Sequence, residues 1–274
     1  EVYALLGHNG AGKTSTVEVL EGHRSATSGH VRVLGHDPAD GERELRDRIG
    51  IVLQSSSVER ALTVGEALTF YGSAYRRPRD PAELVELVDL TGLLDRRIGT
   101  LSGGQARRLD LALGIVGTPE LLFLDEPTTG FDPVARRQSW ELVRRLSSGG
   151  TTVLLTTHYL DEAEHLADRV GVMAAGELVA EGTPAELKAG VPDATITFTD
   201  TPGIALADMP LPPDARVAPD GTVTIDTSEP TRLVAALAGA AAAAGVELDR
   251  LTLRRPTLED VFLRLAGQPE SSGE

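Results

Sequence analysis

Near its start the chain reads Gly7-His8-Asn9-Gly10-Ala11-Gly12-Lys13-Thr14, fitting G-x-x-x-x-G-K-[ST], with an apolar strand-like lead-in over residues 2–6 and a helix-like continuation. Nothing else in the sequence narrows the fold as much, because this pattern between strand and helix is a phosphate-binding loop. Its glycines let the backbone wrap an anion closely, and N–H groups at the helix start, through Ser15, point at phosphates. Lys13 adds a cation, and the Thr14 hydroxyl is placed to ligate Mg2+. An ordinary glycine-rich turn would not need all four fixed positions and both flanks to agree.

Two apolar runs ending in polar residues fit a parallel sheet around that loop. Residues 121–124 lead into Asp125-Glu126-Pro127, and residues 151–157 lead into His158. Ligands of open α/β sheets bind at such C-terminal strand edges. Residues 30–34 read as an edge strand, 43–48 as a short polar helix, and 49–54 as a buried strand delivering Gln54 to its end. Apolar spacing turns helical between residues 63 and 116, which marks a helical insert. Pro133 starts a helix that runs to residue 146. Residues 170–173 and 177–180 form a hairpin around Ala175-Gly176, and a brief helix opens after Thr183-Pro184. From residue 191 the character changes. Residues 191–219 are rich in Pro and Asp, with no element assigned to them. A strand (222–225), an alanine-rich helix (231–244), a second strand (248–253) and an amphipathic helix (257–265) follow, before a tail at 268–274.

With 274 residues, 41% hydrophobic and 24% charged, the chain is long enough for one large α/β domain and a smaller one. No apolar run approaches the roughly 20 residues that span a bilayer. The absence of cysteine removes disulfides, thiolate catalysis and Cys-based zinc sites. A formal net charge of -15 argues against nucleic acid as the main partner, since backbone binders carry a basic face. Only Lys13 and Lys188 are lysines among 26 basic residues, so arginine is this chain's usual cation. The loop nonetheless has lysine, whose compact ammonium suits phosphates where a guanidinium would crowd them.

Leu101-Ser102-Gly103-Gly104-Gln105 is the second strong signal: Ser102 can cap the helix that follows, and the two glycines expose N–H groups to an anion. Flanked by the phosphate loop before it and Leu122-Phe123-Leu124-Asp125-Glu126-Pro127 after it, this segment resembles the signature of ATP-binding cassette (ABC) proteins. The resemblance covers most of residues 1–190. It implies an α/β P-loop NTPase cassette with a helical subdomain at about 63–116, a small α+β domain at 191–267 and a flexible tail at 268–274. It also implies ATP with Mg2+, and a head-to-tail dimer with a second copy. Each phosphate loop would then be closed by Ser102, Gly103, Gly104 and Gln105 of the other chain.

The same resemblance distributes the remaining roles. Asp125 would hold Mg2+ through water, and Glu126 would be the general base that polarises the attacking water; alternation along the strand is expected to separate the two carboxylates. Gln54 matches the glutamine that senses Mg2+ and the water, and His158 the switch histidine that contacts the γ-phosphate. Asp132 is the expected dimer contact, with Phe131 standing where leucine is commoner. The aromatic that stacks on adenine is expected upstream of Glu1, so N-terminal strands are read as truncated; Tyr3, inside the strand, is expected to pack in the core.

Residues 191–267, ending in Arg255-Pro256-Thr257-Leu258-Glu259-Asp260-Val261-Phe262-Leu263, resemble the small domain on ATPases of ABC-2 type exporters, including daunorubicin-resistance ATPases. The implied protein is a peripheral ATPase on the cytoplasmic side of the cell membrane. It would drive a separate permease through a surface formed by the helical insert and residues 55–62, and export drug-like or hydrophobic compounds. An importer ATPase differs only in the C-terminal appendage. A non-transport ABC ATPase acting on DNA or ribosomes would carry a coiled-coil insertion or a second cassette. A GTPase would need an Asn-Lys-x-Asp segment, which is absent.

Overall fold

The structure, a computed structural model, describes residues 1–52, 58–189, 191–199 and 203–266, the last helix with side chains as far as Phe262. In chain order, β1 (Val2–Gly7) and α1 (Lys13–Leu20) enclose the phosphate loop, followed by α2 (Arg43–Arg48) and β2 (Ile49–Val52). Three helices come next: α3 (Val64–Gly72), α4 (Pro81–Leu87) and α5 (Gly103–Gly114). Then come β3 (Leu121–Asp125), α6 (Pro133–Ser148), β4 (Thr152–Thr157), α7 (Leu160–Leu166), β5 (Arg169–Ala174), β6 (Glu177–Gly182) and α8 (Pro184–Lys188). The remainder is β7 (Ala194–Thr199), β8 (Arg216–Val217), β9 (Thr222–Thr227), α9 (Pro230–Ala243), β10 (Asp249–Arg254) and α10 (Leu258–Ala266).

The chain divides into two compact units, Glu1–Pro184 and Ala185–Glu274. In the first, six strands run in the order β2-β3-β4-β1-β5-β6, all parallel except the β6 edge, which pairs antiparallel with β5. β1 lies between β4 and β5, so the phosphate loop leaves from the middle of the sheet. Burial on both faces explains the near-continuous apolar runs of these strands. Leu122, Leu124 and Leu155 are each 1% exposed or less, a burial worth ~2 kcal/mol per side chain. On one face Val17 of α1 and Leu45 of α2 pack with Ile49 and Phe123. α6 and α7 pack against β4, and α7 also against β1.

The three helices α3–α5 pack on one another through Ala67, Leu68, Leu84, Val85, Leu109 and Ala112, all buried. Each has a coded start: a Thr63–Glu66 capping box for α3, Asp80 before Pro81 for α4, and a Ser102–Gln105 box for α5, as such sequences favour. Gly50 and Gly114 bring α5 onto β2. A Cβ at Gly50 would lie 2.0 Å from the Gly114 carbonyl oxygen, and one at Gly114 2.3 Å from Val52 Cγ2. Along α3 the helical period holds for Ala67 and Leu68, whereas Tyr71 is 39% exposed and its neighbour Phe70 66%.

Residues 30–34 do not form the expected strand. Leu34 and Gly35 both turn left-handed (φ 49° and 88°), so the chain doubles back and only an isolated Val33–His36 bridge forms. The second unit holds an antiparallel sheet in the order β10-β7-β9-β8. Ile196, Phe198, Val223 and Ile225 build its core with Met209 and Leu237 of α9. β7, inside the Pro- and Asp-rich stretch, was missed although Ala194, Ile196 and Phe198 alternate inward; three intervening threonines weaken its apolar signal.

Candidate functional site

β1 delivers the loop, and α1 takes the chain away with Gly12 at its cap. Gly12 is left-handed (φ 103°) and supplies no side-chain bond to the helix start; a Cβ there would also approach Met173 Cε at 3.3 Å. Among the described residues, the N–H groups of Gly10, Gly12, Lys13, Thr14 and Ser15 make no hydrogen bond. They carry the positive end of the helix dipole. Lys13 is 6% exposed and folds back over the loop, its Nζ donating to the carbonyls of Gly7 (2.6 Å) and His8 (3.2 Å). Burial pushes its ammonium below the ordinary lysine value, opposed by the carboxylates of Glu126 and Asp125.

Those two carboxylates face the loop. A cleft of about 400 Å3 is lined by Asn9, Gly10, Gly12, Lys13, Thr14, Ser15, Asp125 and Glu126. Asp125 ends β3 and accepts a short hydrogen bond from the Thr156 hydroxyl at Oδ1. Strand alternation does not separate Glu126 from it, because Glu126 has already left the strand, turning left-handed at φ 46°. Its N–H donates to the Thr156 carbonyl (3.1 Å) and hydroxyl (3.2 Å), which holds the turn.

The Glu126 carboxylate is then gripped at both oxygens. Oε2 accepts from the Thr129 hydroxyl at 3.1 Å, and Oε1 lies 3.1 Å from Nδ1 of His158, just beyond the end of β4. His158 in turn stacks on Tyr159 at 4.1 Å between ring centroids. Asp132 caps α6, its Oδ1 accepting from the N–H groups of Val134 (2.8 Å) and Ala135 (2.9 Å). Tyr3 lies away from these groups, its hydroxyl donating to Glu181 beneath the Arg169 guanidinium.

Ser102, Gly103, Gly104 and Gln105 begin α5 and do not line the cleft of their own chain. Ser102 Oγ accepts from the Gln105 N–H, and Gln105 Oε1 from the Ser102 N–H. One turn along, the buried Arg107 reaches across to the backbone that carries the carboxylates. It donates to the carbonyls of Pro127 (3.2 Å) and Asp125 (3.4 Å) and sits 3.7 Å from Asp110. The structure therefore gathers the loop with Asp125, Glu126 and His158, and holds the Ser102 segment apart. Gln54 lies outside the described residues. Sequence reasoning gave no role of their own to Thr129, Thr156 and Arg107, although Thr129 and Arg107 lie in stretches that it singled out. Thr156 carried a detectable signal, a hydroxyl at the C-terminal edge of an apolar strand, while Arg107 is hidden among a chain's worth of arginines.

The family described as ABC transporter matches residues 1–129, and a C-terminal domain family of ABC transporter domain-containing proteins matches residues 194–257. A daunorubicin resistance ATP-binding protein of Streptomyces coeruleorubidus is 42% identical over 278 residues, 97% of this chain and 87% of that protein. A daunorubicin/doxorubicin resistance ATP-binding protein of Streptomyces peucetius is 42% identical over 98% of this chain and 84% of its own. The Nod factor export ATP-binding protein I of Rhizobium leguminosarum bv. viciae is 38% identical over 98% and 86%. Among solved structures, an ATP-binding subunit of an ABC transporter superposes with a TM-score of 0.63 at 27% identity, over 69% of this chain and 81% of its own.

Proposed function

The chain belongs to the family of ABC transporter ATP-binding proteins, ATPases that couple hydrolysis to transport, and from that premise we propose that it energises an exporter of drug-like or hydrophobic compounds. Its permease is a separate polytopic protein, and the ATPase sits peripherally on the cytoplasmic side of the membrane. No helix among the described residues is long and apolar enough to cross a membrane. The export direction is supported by relatives named for drug resistance and Nod factor export that align over nearly the whole chain, C-terminal unit included. The docking surface would be the helical region, which Phe70, an apolar side chain 66% exposed on α3, supports; of the segment 55–62 also expected there, residues 55–57 lie outside the described residues.

The observation that carries the reaction is the cleft in which open helix N–H groups and Lys13 face Asp125 and Glu126. The N–H groups and Lys13 bind the phosphates, so that charge developing on them meets fixed dipoles rather than water. Glu126 is the base. With one oxygen held by Thr129 and the other beside His158, it has one orientation from which to take a proton from water. His158 lies beside the base and, by family resemblance, would contact the terminal phosphate. The Thr14 hydroxyl and Asp125 carboxylate are hard oxygen donors on one cleft. They suit Mg2+, which takes few protein ligands and fills its sphere with water and phosphate oxygens; bound there, it would neutralise charge on the β- and γ-phosphates. Gln54 would act at the same place, by family resemblance. Two copies arranged head to tail would bring Ser102, Gly103, Gly104 and Gln105 over the partner's nucleotide, with Asp132 at the contact.

Glu126→Gln tests the reading. The variant should bind ATP, lose hydrolysis by roughly a hundredfold or more and accumulate as a dimer. In cells co-expressing the permease, wild type should lower accumulation of an anthracycline while the variant does not. Wild-type turnover by the variant would refute the base, and unchanged accumulation with an active ATPase would refute the cargo class.

A further inference from the structure

Behind the cleft, three elements converge on a carboxyl group that the chemistry above leaves unused. Glu162 of α7 is wholly buried, 0% exposed, a position carboxylates seldom take. The indole N–H of Trp140 on α6 donates to its Oε1 at 3.0 Å. Its other oxygen, Oε2, is enclosed without a hydrogen bond among the described residues, and so is the hydroxyl of Thr128. The hydroxyls of Thr157 and Thr128 still lie near enough to act on its charge: burial pushes Glu162 above the ordinary carboxylate range, and they and Trp140 oppose that push.

The Glu162 Oε2 and the Thr128 hydroxyl are both enclosed and are complementary groups, while Oε1 keeps the indole. The placement of these partners gives the contact its meaning. Thr128 is two residues beyond Glu126, Thr157 immediately precedes His158, and Trp140 stands on the helix that Asp132 caps. One side chain thus bonds the helix of the dimer contact and lies beside hydroxyls of the base loop and the switch strand.

We propose that Glu162 is a positioning residue for hydrolysis, a buried joint that keeps the loop carrying Glu126 in register with the end of β4 carrying His158. The inference deepens the proposed reaction and rests on the assignment of Glu126 as base. Misplacing a reacting group by about an ångström can cost up to roughly a hundredfold in rate, whereas nucleotide affinity resides in the loop and Lys13, which Glu162 does not touch.

The test uses the full chain, with ATP affinity by titration and kcat by steady-state hydrolysis. Glu162→Leu should lower kcat by roughly tenfold or more at unchanged affinity. Glu162→Gln, which retains an acceptor for Trp140 and gains a donor for Thr128, should recover most of that loss. Thr128→Val leaves the carboxyl in place and should lower kcat several-fold; it decides the matter alone if Glu162→Leu does not fold. Wild-type kcat in a folded Glu162→Leu or in Thr128→Val overturns the proposal. So does an inactive Glu162→Gln, or affinity falling in step with kcat. If Glu126→Gln is inactive while Glu162→Leu is fully active, the joint fails and the base stands; an active Glu126→Gln removes the base itself.

Discussion

Two helices of the first unit begin at glycine-bearing turns, and they treat their first N–H groups in opposite ways. α1 starts at a left-handed Gly12 that offers no side chain, so its N–H groups stay open, and the buried Lys13 braces the loop by bonding the carbonyls of Gly7 and His8. α5 starts at Ser102 in a closed capping box with Gln105, on an exposed stretch. The first is a cradle whose N–H groups and cation come from one chain. The second is a stable helix end that has no ligand in its own cleft, with the N–H groups of Gly103 and Gly104 left over. In the capping box Ser102 Oγ is an acceptor, so its own O–H proton remains to donate outward. If, as proposed, a second copy brings its phosphates there, the box leaves that donor available to meet them without competing for it.

If that contrast holds, damage at the two ends must separate by assay. Lys13→Ala removes the cation and the brace together. It should weaken ATP binding by a single chain roughly 10–100-fold, the value of charge-assisted bonds to phosphate, as read by titration at dilute protein. Ser102→Ala should leave that dilute-chain affinity unchanged. It should lower hydrolysis by roughly tenfold or more, as losing one donor to developing charge does, and weaken ATP-driven dimerisation in sedimentation. A loss of affinity in dilute Ser102→Ala would mean that both helix ends serve one site in one chain, and the contrast would collapse.

The loop, the Asp125-Glu126 pair and the Ser102 segment were legible because each is a local string whose chemistry follows from its own residues and flanks. What tied them together was not. Glu126 turns left-handed after β3, a backbone event with no glycine to announce it, so both carboxylates line one cleft and the separation expected from alternation does not arise. His158 was legible as a strand-end histidine, but its approach to Glu126 at 3.1 Å depends on β3 and β4 being neighbours, which parallel pairing decides across about thirty residues. β7 stayed hidden because its three threonines match its three apolar side chains in number, on a strand whose inner face is short. Arg107 stood in the run after the Ser102 segment with no role assigned to it, yet it links the two regions by reaching from α5 to the carbonyls of Pro127 and Asp125. Arg107→Met keeps the length and loses those bonds. It should destabilise the chain by about 1.5–3 kcal/mol, the scale of hydrogen bonds to a charged group, read as a lower midpoint in urea. Hydrolysis should fall at unchanged affinity for ATP, because the carboxylate loop, and not the phosphate loop, loses its support.

The smallest change is the sharpest probe of the α5 end. Gln105→Ala opens the box from one side: Ser102 keeps its hydroxyl, but the Ser102 N–H loses its acceptor. Cap substitutions of this kind cost about 0.5–2 kcal/mol, and an exposed box with one bond at 3.3 Å belongs at the low end, so the urea midpoint should barely move. Dimerisation is the informative quantity. If the box presets Ser102, its loosening should weaken ATP-driven association in the hydrolysis-deficient Glu126→Gln background by several-fold, while a matched loss in an unrelated box, Glu66→Ala at α3, leaves association unchanged. Equal behaviour of the two variants would reduce the α5 box to helix stability, and Ser102 would then have to be oriented by the partner chain itself.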